Sequence, residues 1–156
     1  YSFPYAKGNG KMNIYTIESG SRLQFCKSFT DPLLDGVHYW AQHNQLTIAN
    51  FSTAALLTLN ISDPFNPEVL GRLQEDRLGE PNRIAPDPAH QLLWVAGYRK
   101  NIVSVVDISN PAHPLFVKSF AHALFDRVQT IAYHKGHLFV GSRATNSTVI
   151  FRVDIY

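Results

Sequence analysis

Cys26 is the only cysteine in a chain of 156 residues. One cysteine excludes an internal disulfide and any cysteine-cluster metal site. Flanked by Phe25 and Lys27 in an expected edge strand, it reads as a plain half-buried thiol rather than a nucleophile. Charge of one sign is lacking too: 14 Lys and Arg stand against 12 Asp and Glu. Arg99-Lys100 is the one adjacent basic pair, and nothing resembles a nucleic-acid-binding run. No stretch approaches the roughly 18 apolar residues of a membrane-spanning helix. No signal peptide is visible in a chain that opens on Tyr1. A helical hydrophobic period is missing throughout. So are the His-Glu-x-x-His pair, the Gly-x-Ser-x-Gly elbow and the Gly-rich phosphate loop.

What the chain does have is apolar content, 45% of residues with 12% aromatic, which fits a packed globular protein and excludes disorder. It also has a repeat, and self-similarity at a fixed period decides the fold before any other feature. "LLTLNISDPFNPEVLGRL" (56–73) and "IVSVVDISNPAHPLFVKSF" (102–120) share one order of residue types at an offset of 47. Asn60-Ile61-Ser62-Asp63-Pro64 answers Asp107-Ile108-Ser109-Asn110-Pro111, and Pro67 answers Pro114. A worn copy, "MNIYTIESGSRLQFCKSF", runs over 12–29 and puts Ile17 in the Ile108 column; Asp154-Ile155 begins a fourth. Each copy alternates as a strand does and is bounded by Asn, Asp, Gly and Pro. Asp63-Pro64 and Asn110-Pro111 read as turn starters, because the Asx side chain bonds the following backbone and Pro presets φ. The second Pro suits the start of an outer strand, where a missing N–H is tolerated.

Between these hairpins lie others, over 36–52, 82–98 and 128–143, aligned on Leu46, Leu92 and Leu138. One repeat is therefore about four strands, the size of a β-propeller blade. The expected fold class is all-β, built of blades of four antiparallel strands, about three blades in all. The "VVDISNP…P" pattern, followed by "LLWVAG"-type strands, resembles the LVIVD-repeat family of β-propeller proteins across nearly the whole chain, 11–156. The resemblance implies a propeller, often in a secreted or cell-surface protein, and no single activity. We treat 1–156 as one partial propeller domain, with units of approximately 10–29 (a partial blade), 30–73, 74–120 and 121–156. Even four blades need about 188 residues at this repeat length. The expectation is a ring completed by another propeller segment or a second copy.

Seven histidines raise a metal question. His38 and His43 fall on one hairpin and His134 and His137 on another, without a metal-ligand spacing. They read as turn and surface residues, and only His122, beside Ala121 and Ala123, hints at chemistry. A sharper candidate is acidic. The loops entering the innermost strands place Asp35 and Asp126 at one distance after Phe29 and Phe120, with Glu80 one residue off. Around the mouth of a propeller channel these three could hold a cation such as calcium or receive a basic ligand group. The plainer alternative is that each caps its own turn. Sequons occur at Asn50, Asn60 and Asn146, and only Asn146 falls in an expected exposed loop. The functional expectation is a non-enzymatic binding module for a protein or glycan ligand, extracellular or on the cell surface. The alternative is a propeller enzyme, a hydrolase or oxidoreductase with a metal or acidic site at the channel.

Overall fold

A computed structural model describes residues 10–154 apart from 21, 35 and 43. Strands β1 (Lys11–Glu18) and β2 (Arg22–Thr30) form a two-stranded sheet. Strands β3 (Gly36–Gln42), β4 (Gln45–Asn50), β5 (Ala55–Asn60) and β6 (Glu68–Gln74) form a four-stranded antiparallel sheet in chain order. The next four, β7 (Pro81–Asp87), β8 (Leu92–Gly97), β9 (Ile102–Asp107) and β10 (Leu115–Ala121), form another. The last sheet holds β11 (Val128–His134), β12 (His137–Ser142) and β13 (Ser147–Arg152). One short 3-10 turn, Asp76–Leu78, is the only helical element among the described residues. The all-β reading of the sequence and its four-strand unit are both met.

The sheets stand side by side like blades. β3, β7 and β11 approach one another at one edge of the stack, where the axis of a ring would run. Each pair of neighbouring sheets encloses its own core. Leu34, Ile48, Leu57 and Leu59 meet Met12 and Phe29 between the first two sheets. Ala49 and Leu56 meet Leu78, Ile84, Leu93, Val95 and Val106 between the second and third. Trp94, Ala96, Val103 and Val105 meet Phe125, Val128, Leu138 and Val140 between the third and fourth. Period two explains the division: successive side chains of β8 point to opposite faces, so Leu93 and Val95 serve one interface and Trp94 and Ala96 the other. A strand buried on both faces reads as a continuous apolar run, which is what "LLWVAG" is.

The repeated Asx-Pro turn is a strap between blades. Asp63 Oδ1 accepts from the Phe65 N–H at 2.9 Å, and Asn110 Oδ1 from the Ala112 N–H at 3.1 Å. Three residues earlier in the motif, Asn60 and Asp107 cap the N–H of Ser62 and Ser109 at 3.0 and 2.8 Å. Each turn then lies against the outer strand of the preceding blade. Lys27 of β2 donates to Asn66 Oδ1 at 2.6 Å. Gly71 of β6 takes the corresponding approach from Pro111 and Ala112, so close that a Cβ there would stand 2.3 Å from the Pro111 carbonyl oxygen. Pro67 and Pro114 directly precede the edge strands β6 and β10, as expected.

Strand register corrects the alignment in two places. The β7–β8 turn spans 88–91, whereas β3–β4 and β11–β12 turn over 43–44 and 135–136. The two extra residues shift everything after them. The Ile61 N–H reaches Asn44 O, the Ile108 N–H reaches Gln91 O, and the equivalent bond in the last sheet comes from Val153 to Gly136 O. Val153, not Ile155, therefore takes the Ile108 place, and Ile155 lies outside the described residues. For the same reason Leu93 rather than Leu92 is the partner of Leu46 and Leu138: they pair with Pro86, Ala41 and Tyr133 on the first strands.

Candidate functional site

The loops running into β3, β7 and β11 form one rim of the stack, and a single device builds all three. Asp31 Oδ1 accepts from the Leu33 N–H at 2.9 Å, Glu75 Oε1 from the Arg77 N–H at 3.1 Å, and His122 Nδ1 from the Leu124 N–H at 3.1 Å. The carbonyl oxygens of the same three residues accept from Leu34, Leu78 and Phe125. Those three side chains are buried as plugs in the interblade cores. His122 is thus a turn cap, and its ring packs on Phe125 and Phe151. The hydrogen bonds of Arg77 to Glu75, through side chain and backbone, hold the Glu75 carboxyl down at about 2. Asp31, itself buried, also pairs with Arg72 of β6.

The acidic candidates sit beyond these caps. Glu80 and Arg127 share one position. Each has a left-handed backbone, with φ of 62° and 53°, and their carbonyls accept from Tyr98 and Arg143 respectively. Asp126 stands one residue earlier than Glu80 in its loop, exposed, with its carbonyl bonded to the Ala144 N–H. The Glu80 carboxylate is engaged by Arg99, Nε lying 3.0 Å from Oε2. Asp35 lies outside the described residues. Among the described residues no group of three His, Cys, Asp or Glu comes together.

The opposite rim carries groups the sequence reading missed. Asp87, at the end of β7, is 1% exposed. Its Oδ2 lies 2.8 Å from His90 Nδ1 across the long 88–91 turn. From the next blade Tyr133 approaches the same carboxylate; burial first, then Asp87, pushes its phenol up from the ordinary value. The Tyr133 ring stacks on Trp94, centroids 6.1 Å apart. Asp-Pro-x-His inside a turn two residues longer than its neighbours was the available signal. His134 and His137 pair directly across β11 and β12 and are exposed. Nothing is described of the His38 side chain, and His43 is outside the described residues. Cys26 is exposed rather than half-buried, at the register shift of the β1–β2 pair; its Sγ contacts Thr16 Oγ1 at 3.7 Å. Of the sequon asparagines, Asn50 is fully buried, Asn60 caps its own turn, and Asn146 is exposed ahead of β13.

Blades of four antiparallel strands with separate cores, fanned about a common inner edge, define a β-propeller, and this chain is part of one. Residues 93–122 carry an LVIVD repeat. Solved structures agree on the fold. A functionally unknown protein from Desulfotomaculum acetoxidans DSM 771 superposes with a TM-score of 0.75 at 17% identity, over 94% of this chain and 49% of its own. The Cps50 (Swd1) β-propeller domain of Myceliophteria thermophila gives 0.70 at 13% identity, over 94% and 46%. A chain of the nidogen/laminin complex gives 0.66 at 14% identity, over 94% and 53%. The chain thus spans about half the length of the propellers it matches. No curated protein matches it by sequence. No helix among the described residues is long and apolar enough to cross a membrane.

Proposed function

We propose that the chain is a non-enzymatic binding module, extracellular or on a cell surface, which works within a ring completed by another propeller segment or a second copy. The observation that carries the binding reading is how the rim spends its polar groups. Asp31, Glu75 and His122 all satisfy their own turns, and Arg99 engages Glu80. Side chains used this way stiffen the rim and are not held free as general base or nucleophile. A rigid rim on a rigid blade is what a recognition surface needs.

A second reading, a propeller hydrolase or oxidoreductase, is favoured by one arrangement. Buried Asp87 orients the His90 imidazole through Nδ1, the relation an orienting carboxylate has to a catalytic base. The same enzyme reading needs a metal or acidic site at the channel, for which Asp35, Glu80 and Asp126 are the available acids. A cation there has to draw Glu80 away from Arg99.

Metal content of the purified chain by mass spectrometry, with melting curves in calcium and other divalent ions, separates the readings. The binding reading expects no stoichiometric transition metal. A bound redox-active or zinc ion overturns it in favour of the enzyme. A calcium-dependent rise in melting temperature, by mass action on the folded form, that is lost in Asp35→Asn with Asp126→Asn assigns the channel mouth as a calcium site within the binding module. An unmoved curve leaves those acids as local turn and ion-pair partners.

A further inference from the structure

Repeat proteins reveal specialised positions where one copy departs from the others, because what packing alone requires is the same in every copy. Two such departures meet at one cleft. The first is Trp40. By register its equivalents in the next two sheets are Ala85 and Ala132. In those sheets the large ring sits instead on the second strand, as Trp94 opposite Ala85 and Phe139 opposite Ala132, and Trp94 is buried. Only in the second sheet is the indole moved to the inner strand, opposite Thr47. There it is half-buried: one part packs on the core between the second and third sheets, and the rest is open.

The second departure is the long β7–β8 turn, 88–91, on the blade that faces Trp40. Its extra residues add Pro88 and Gln91 to the wall of that cleft, and the Asp87–His90 contact braces it. Gln91 is held in a left-handed conformation, φ 55°, and its carbonyl is tied to the Ile108 N–H. The cleft, about 190 Å³, is completed by Gln45, Ser109 and Pro111 around the indole. No residue of the lining is charged. Among the described residues neither Gln45 nor Gln91 has a partner for its side-chain amide.

We infer that this cleft binds a single neutral sugar ring. The argument is one of chemistry. An uncharged wall excludes phosphates, carboxylates and amines as the principal contact, since nothing there offsets the desolvation of an ion. An exposed aromatic face takes the apolar C–H face of a pyranose. Two free primary amides, each both donor and acceptor, match hydroxyls that are likewise both. The volume admits a monosaccharide and is smaller than the roughly 300 Å³ at which drug-sized pockets begin. Prolines at two walls and a braced turn keep the cleft formed before binding, which lowers the ordering cost. The inference rests on the binding-module reading and names its ligand class and its place, the rim opposite the acidic loops and between two complete blades.

The test is titration with methyl glucoside, methyl galactoside, methyl mannoside and methyl N-acetylglucosaminide, read by indole fluorescence and saturation-transfer NMR. At least one should saturate with a Kd of about 1 mM, perturbing Trp40 while buried Trp94 stays unchanged. Gln45→Ala with Gln91→Ala should weaken that sugar by tenfold or more with an unaltered circular dichroism spectrum and melting temperature. Failure of all four sugars to saturate overturns the inference, as does binding undiminished in the folded double variant. A proline-rich decapeptide is the control for the other ligand an aromatic and proline cleft can take; its binding in place of the sugars overturns the sugar assignment. None of these failures touches the binding-module reading, which stands or falls on the metal analysis.

Discussion

Gly71 is where the repeat motif and the packing meet in one residue. The Asx-Pro turn of one blade lies on the outer strand of the blade before it, and at Gly71 the two backbones approach within the space a side chain would fill. The Lys27 position on β2 solves the same contact differently, with a long side chain reaching Asn66. Gly71→Ala should therefore be destabilising by about 1–3 kcal/mol, the usual range for overpacking, read as a lower urea midpoint at unchanged slope. A variant as stable as the parent shows that the strap is not seated there. The rim supplies a second residue-scale prediction. The Glu75 carboxyl is depressed from its ordinary 4.5 to about 2. A carboxyl bound more tightly as the anion in the folded state stabilises the fold above its unfolded pKa, and that increment is lost as pH falls through the folded value. Asp63 and Asp107, depressed chiefly by the Asn66 side chain and the Ser109 N–H respectively, act in the same direction. Melting temperature should decline as pH drops from 4.5 toward about 2, and Glu75→Gln should flatten part of that decline. A pH profile identical in the variant removes Glu75 from the account.

At the scale of elements, the 88–91 turn is the most informative segment. It is held by a contact between a buried carboxylate and an imidazole. Removing the imidazole leaves Asp87 short of a partner in a place water does not reach, which costs about 1–3 kcal/mol. His90→Ala should lower the melting temperature accordingly and weaken sugar binding at the adjoining cleft, while His134→Ala, on the exposed end of β11, should do neither. Equal effects of the two substitutions would mean the brace has no special role. The strands themselves were legible in the sequence because each buried face repeats every second residue, and the turns because Asp63, Asn110 and the prolines have few other uses. The phase of the repeat was not fully legible. Two residues added to a turn leave every local pattern intact and change only which residues lie opposite, so the column of Ile108 was continued to Ile155 when register gives it to Val153. The candidate site was read less well. Spacing from Phe29 and Phe120 singles out Asp35, Glu80 and Asp126, whereas in the structure Glu80 shares its place with Arg127. The capping column Asp31, Glu75 and His122 went unseen because an Asp, a Glu and a His look unrelated until each is found accepting the same backbone N–H. Its trace in sequence was the apolar plug three residues on, Leu34, Leu78 and Phe125.

At the scale of the molecule the two end sheets matter most. On the first, Tyr15 pairs with Phe25 and Ile17 with Leu23 across the strands, all on the side away from the core. Ile17 is 77% exposed and Leu23 62% exposed. On the last, Ile150 is 59% exposed. On the inner sheets Val69 and Phe116 of the outer strands pack against interblade cores, so the open apolar face of the first sheet lacks the cover its counterparts have, and contiguous apolar faces of this kind mark association surfaces. The curvature agrees, since the chain superposes on about half of longer propellers. Covering both ends, by a further segment or a second copy, is the central claim, and multi-angle light scattering on the isolated 156-residue chain tests it most directly. The account predicts a mass at or above twice 17.6 kDa, falling apart when Ile17→Lys and Phe25→Lys place charges on the first sheet's open face. A compact, stably folded monomer of 17.6 kDa would contradict it.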